Sequence, residues 1–153
     1  MNNTLTESTN GQLTDRFPAK KQRHYLPTLS ELIDRLSINQ IKECKIPEHK
    51  AEYAQEMKDI LHDINAILQE EKVVLTAEAI RAIIVLSQYN LHIWMNETNY
   101  RKGIKEGNNL ELSHGLNSIR NAAKNKIQDY NEDSRKDYKL DNVEAFPEWI
   151  PSW

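Results

Sequence analysis

Asn90, Trp94, Glu97 and Arg101 stand four, three and four residues apart in the segment NLHIWMNETNYR (90–101). That spacing sets all four side chains on one face of a helix. A core face would be apolar and a solvent face has no use for an indole, so the stripe asks for some other partner. A second stripe, Asn117, Arg120, Asn121, Lys124 and Gln128, runs beside the apolar residues of a later segment, and Arg35, Asn39 and Lys42 repeat the period near the start.

Guanidiniums grip phosphate oxygens in pairs, amides read donor and acceptor edges, and an indole offers a stacking face. Converging on one cleft, these groups would suit a nucleotide or sugar phosphate. Arg35, Arg101, Arg120 and Lys124 would hold phosphate, Asn90, Asn117 and Asn121 would read polar edges, Trp94 would wall the site and Glu97 would orient Arg101. The plainer reading is an internal network that ties helices together, with Glu97 and Arg101 a simple i,i+4 ion pair.

Catalytic constellations are weaker. Glu31/Asp34 and Glu56/Asp59 are E-x-x-D pairs of the kind that hold magnesium in helical nucleotide pyrophosphatases, but the paired E-x-x-E is missing. The five histidines are scattered, and Asp59 with His62 makes one acid-x-x-His where a di-iron bundle needs two such motifs plus two further Glu. No Cys or His spacing suits zinc, and no Gly-rich phosphate loop or G-x-S-x-G elbow occurs. No catalytic residue, metal ligand or cofactor is assigned. Nothing here asks for an enzyme.

The elements that must carry these stripes are helices. Pro27 precedes TLSELIDRLSINQIKECKI, where Thr28 and Glu31 form a capping-box pair, and Leu29, Leu32, Ile33, Leu36 and Ile41 follow at helical spacing. Pro47 suits a first helical position and opens a second helix with the stripe Tyr53, Met57, Ile60, Leu61, Ile64, Ile67 and Leu68. Thr76 caps a third helix whose first half is apolar nearly all round, which predicts the most buried helix of the fold. KGIKEGNN is a turn, and Asn108 with Glu111 starts a fourth helix over roughly 109–131, its apolar stripe Leu112, Leu116, Ile119, Ala123 and Ile127. Four helices with short connections and almost no strand signal predict an all-α fold, an antiparallel four-helix bundle. Residues 1–26 read as a flexible arm, 27–131 as the bundle, and 132–153 as a tail whose Phe146, Trp149, Ile150 and Trp153 dock on the bundle or on a second subunit.

The chain has 153 residues, 39% hydrophobic and 28% charged, ordinary values for one globular domain. No apolar run approaches the roughly 18 residues of a membrane span, the polar start is not a secretory signal, and a lone Cys44 points to a reducing compartment. A cytoplasmic location is expected. Net charge is −3, which with the lack of a helix-turn-helix or basic-zipper pattern counts against nucleic-acid binding. The charge is uneven: six bases face two acids between residues 101 and 126, while seven acids face three bases from 128 to 149. A locally cationic fourth helix suits an anionic ligand.

LSELIDRLSINQIK (29–42), TAEAIRAI (76–83), NLHIWMNETNYR (90–101) and GLNSIRNAAKN (115–125) together resemble a family of small helical proteins of tailed bacteriophages. More distantly they resemble a bacterial domain of unknown function with an E-L-I-D-K-L-S-I start, from which ECKIPEHK departs. The resemblance covers most of residues 27–138 and brings no settled activity with it. It does imply a setting, the host cytoplasm, in which small oligomeric phage proteins counter bacterial defence by sequestering cyclic nucleotides or NAD-derived signals. The expectation is therefore a homo-oligomer that binds a small anionic, nucleotide-like ligand without turning it over. A protein–protein module aimed at a host or virion partner is the alternative, and a nucleotide pyrophosphohydrolase a further one.

Overall fold

The computed structural model describes residues 23–104, 109–131, 135–138 and 146–153; most of the expected arm, Asn108 and much of the tail lie outside them. The described chain is all-helical, with four α-helices and no strand: α1 (Leu29–Lys45), α2 (Lys50–Glu70), α3 (Ala77–Arg101) and α4 (Asn109–Gln128). None of these helices is long and apolar enough to cross a membrane.

Local chemistry sets the helix ends. Thr28 Oγ1 accepts from the Glu31 N–H (3.2 Å) while the Glu31 carboxylate accepts from the Thr28 N–H (2.7 Å), closing the capping box. Thr76 Oγ1 caps α3 by accepting from the Ala79 N–H at 3.3 Å. At the far end of α3, Gly103 takes φ +73°, and the Ile104 N–H reaches back to the Asn99 carbonyl (3.0 Å) in a Schellman-type close. Pro47 opens a single 3-10 turn, Pro47–His49, ahead of α2 rather than α2 itself.

One buried cluster joins Leu29, Leu32 and Ile33 of α1, Ile60 and Ile64 of α2, Val85 and Leu86 of α3, and Leu116, Ile119, Ala123 and Ile127 of α4. The start of α1 lies against the end of α4, where the Ser30 N–H donates to Gln128 Oε1 at 3.3 Å. α1 packs against all three other helices and α3 packs along α4, but α2 rests on α1 with hardly any approach to α3 or α4.

That arrangement corrects two expectations. α3 is not the most buried helix: Ala79, Ala82, Val85, Leu86 and Asn90 face the core, while Ile80 (49%), Ile84 (51%), Leu91 (45%) and Met95 (41%) are exposed along the opposite side. The all-round apolar pattern comes from two opposed apolar faces, of which the described residues cover one. Leu61 on α2 is 46% exposed instead of joining the core, because the α2–α3 seam toward which it points stays open. In the tail, Trp149 packs edge-on against Tyr89 and His92 (ring centroids 6.0 and 4.8 Å) and its carbonyl accepts from the Tyr89 hydroxyl, whereas Ile150 and Trp153 keep 43% and 37% of their surface exposed.

Candidate functional site

Asp34 lies on α1 one turn past the capping box, on the same face as Ser30 and Ser37, and is buried. Its carboxylate is the point where three helices meet. Arg120 of α4 donates from Nε to Asp34 Oδ1 (3.1 Å) and from Nη2 to Oδ2, and its Nη1 donates to Asn117 Oδ1 at 2.8 Å. Asn90 of α3 donates to the same Asp34 Oδ1 (2.8 Å) and approaches Ser37 Oγ (3.3 Å). With side chains only 10% and 20% exposed, the Asp34–Arg120 pair is desolvated and directional, the strong form of a charge-assisted contact. All three guanidinium nitrogens have acceptors inside the protein. Of the clamp residues only Asn117 is exposed, and its Oδ1 is taken up by Arg120.

The polar stripes therefore divide. Asn90, Asn117 and Arg120 come together, and Asn121 is buried beside them with bonding of its own. Arg35 turns the other way, to α2, where its Nε and Nη2 reach Glu56 Oε1 at 2.8 and 2.7 Å. Glu97 and Arg101 form an exposed i,i+4 pair at 3.2 Å, and Trp94 is half-buried on α3 without a hydrogen bond or ring contact among the described residues. Lys124 lines a separate cleft.

At the α1–α2 seam, the Asn39 amide beside Glu56 holds that carboxyl below the usual carboxylate range; Arg35 assists, and partial burial opposes. Asn39 itself is fully buried, and neither end of its amide completes a well-formed hydrogen bond.

The acids weighed for metal binding have other tasks. Glu31 closes the capping box, Asp34 the clamp, Glu56 the Arg35 pair, and Asp59 accepts from Gln55 at 3.2 Å. Among the described residues no three His, Cys, Asp or Glu side chains gather to hold a cation. Asp34 is the residue whose role sequence reasoning missed. Its signal was present: Ser30, Asp34 and Ser37 make a polar stripe facing the helices that carry Asn90 and Arg120.

Concavities among the described residues include one of about 300 Å³ beside Arg81, Lys126 and Trp153 and two others. A polar cleft of about 270 Å³ includes Tyr25, Glu31, Lys124, Asn125, Arg135 and Lys136 in its lining. It is built by residues 135–138 clipping onto α4: Asn125 Nδ2 donates to the Asp137 carbonyl (2.7 Å) and the Asp137 N–H donates back to Asn125 Oδ1 (2.8 Å). Arg135 closes its rim, donating to the Leu26 carbonyl (2.6 Å) with its guanidinium 4.6 Å from the Tyr25 ring centroid.

The second concavity, an open groove of about 600 Å³, occupies the α2–α3 seam. Its floor is apolar, with Ile33 and Leu36 from α1, Met57 and Leu61 from α2 and Ile83 from α3, and Gln40, Glu43 and Lys58 supply its polar edges. That composition, an apolar floor with a polar rim, is what a protein-binding surface carries. No protein-family model, curated protein or solved structure matches the chain.

Proposed function

We propose that this protein is a non-catalytic interaction module whose working surface is the apolar groove between α2 and α3. The observation that carries the reading is the open seam. If the four helices are taken as an antiparallel bundle, α2 and α3 are the pair that should close against each other, and their facing apolar side chains are left without one another. An amphipathic helix laid into such a trough is a common mode of recognition. In a tailed-phage setting, to which the sequence resemblance lends support, the occupant would belong to a host or virion protein or to the same chain. The Asp34 clamp argues against a small guest in the polar seam, because the groups meant to greet it already bond to each other.

A photo-crosslinking side chain at Leu61, compared with one at exposed Glu111 of α4, tests the reading in cells that make the protein. A discrete adduct from position 61 alone is expected, whatever protein it contains. No adduct at 61, or the same adducts from 111, overturns it.

One observation favours a small anionic ligand as a second reading, at a different place. Lys124, alone among the cations expected to bind phosphate, lines a cleft, has no acidic partner among the described residues, and stands near Arg135 and Lys136. Isothermal titration with cyclic dinucleotides and ADP-ribose should then give heat that Lys124→Glu abolishes. Silence across the panel removes this reading.

A further inference from the structure

The helix that fills the open seam, we propose, is α3 of a second copy of this chain, so that two copies pair about a two-fold axis through the middle of α3. The inference rests on the reading of the groove as an interaction surface and names its occupant.

Self-complementarity is the first argument. An interface with two-fold symmetry must present the same patch twice, with residue i meeting j and j meeting i. The outer face of α3 has that property. Ile80 lies as far before the midpoint between Ser87 and Gln88 as Met95 lies after it, and Ile84 and Leu91 are placed in the same way. Two antiparallel copies would set Ile80 on Met95 and Ile84 on Leu91, twice each, with Ser87 and Gln88 at the axis. Those four apolar side chains are 41–51% exposed. Apart from His92, no titratable acid or base occurs on α3 between Arg81 and Glu97 except the phenol of Tyr89, so no like charges meet at the centre.

Position is the second argument. Ile83 and Ser87 sit beside this stripe and line the groove, with Leu61 across from them. A helix lying along Ile80, Ile84 and Leu91 therefore also lies along the mouth of the open seam. The described residues of the tail leave the stripe uncovered: Trp149 stacks on Tyr89 and His92, and Ser152 accepts from Arg81 Nη2 (3.2 Å) on the other flank.

Size sets the strength. From Ile80 to Met95 the stripe is about 22 Å long on a helix about 10 Å wide, well short of the roughly 1,000 Å² that a stable interface buries, so the pairing is weak and transient. A dissociation constant on the order of 100 µM is expected.

The register makes the test sharp. In a Cys44→Ser background, Gln88→Cys should form a disulfide-linked dimer on mild oxidation, because position 88 meets its own copy near the axis. Ile80→Cys alone and Met95→Cys alone should not, since each is about 22 Å from its twin, but a mixture of the two should cross-link. Sedimentation velocity from about 5 to 500 µM, spanning that affinity, should show concentration-dependent dimer that Ile84→Glu removes; circular dichroism of that exposed-site variant should still report the native helix content. A chain that stays monomeric across the range, or one that cross-links through Ile80→Cys alone, overturns the inference. If the Leu61 photo-adduct contains a different protein and no self-adduct forms, the second copy is wrong and the groove reading survives. Absence of any Leu61 adduct in a demonstrably dimeric protein overturns both the groove reading and the inference that α3 of the second copy fills the seam.

Discussion

Replacing Asp34 with Ala would strip the three-helix clamp of its only carboxylate. Arg120 would keep its charge with its side chain just 20% exposed, and the buried Asn90 amide would retain only its longer contact to Ser37, at 3.3 Å. Removing one partner of a buried ion pair costs about 3–5 kcal/mol, because the surviving charge stays desolvated. The residual exposure of Arg120 and the better helix propensity of Ala reduce this to about 3–4 kcal/mol. For a chain of this size that corresponds to a Tm about 7–14 °C lower.

Removing both charges tells a different story. Asp34→Leu combined with Arg120→Met replaces the pair with apolar side chains and should lie within about 1 kcal/mol of the parent, since buried pairs gain little net stability over hydrophobic substitutes. The corners Asp34→Leu and Arg120→Met should each cost about 3–5 kcal/mol, so the double variant should be far more stable than their sum, a coupling of several kcal/mol. Urea unfolding followed by circular dichroism and tryptophan fluorescence, with an unchanged m-value, measures every corner of the cycle. A cost for Asp34→Ala below about 1 kcal/mol, or a coupling near zero, would refute the clamp and return Arg120 and Asn90 to the pool of groups free to bind a ligand.

Other expectations concern the edges of the fold. Glu56 has a carboxyl held low in the folded protein, so its contribution is full above the ordinary value of about 4.3 and fades as the pH drops through the folded one. With side chains 37% and 56% exposed in the Glu56–Arg35 pair, Glu56→Gln should cost only about 0.2–1 kcal/mol at pH 7, a gap that urea melts should find shrinking as the pH falls below the ordinary carboxylate value; a gap constant with pH would contradict this. Thr28→Ala opens the capping box and should lower stability by about 1 kcal/mol in thermal melts, an effect that an unaltered melting curve would rule out. Burial pushes the Tyr89 phenol up, so an alkaline absorbance titration should show one tyrosine ionising after the rest. Tyr89→Phe should abolish that late step and loosen Trp149, whose carbonyl accepts the Tyr89 hydroxyl; simultaneous titration of all six tyrosines counts against it.

Features decided by a few neighbouring residues were readable without coordinates. Thr28 with Glu31 and Thr76 ahead of its helix are local signals, and both caps form. The apolar stripe of α4 is legible for the same reason, with Leu116, Ile119, Ala123 and Ile127 at most 2% exposed. Pro47 misleads by one turn, because a fixed φ near −65° suits a 3-10 turn as well as an α-helix. Periodicity finds apolar residues but not what covers them, so the two opposed faces of α3 look like full burial. The site was blurred in the same way. Helical spacing groups Asn90 with Glu97 and Arg101, yet the long side chains near the helix end pair locally while Asn90 turns to α1. Arg35 follows Asp34 directly, and a step of about 100° round the helix sends one to Glu56 and the other to Arg120.

α2 is held by one neighbour, and the seam that holds it contains the buried Asn39 amide, whose Oδ1 has no donor and whose Nδ2 makes no well-formed bond to Glu56 beside it. A buried polar group in that state costs about 1–3 kcal/mol, so the grip on α2 is weaker than its length of 21 residues suggests. Amide protons of α2 should therefore exchange with solvent deuterium through a partial opening that leaves α1, α3 and α4 assembled, while those of α4 wait for global unfolding. Any guest that bridges α2 to α3 would raise the protection of α2 selectively, turning the least anchored helix into a reporter of occupancy.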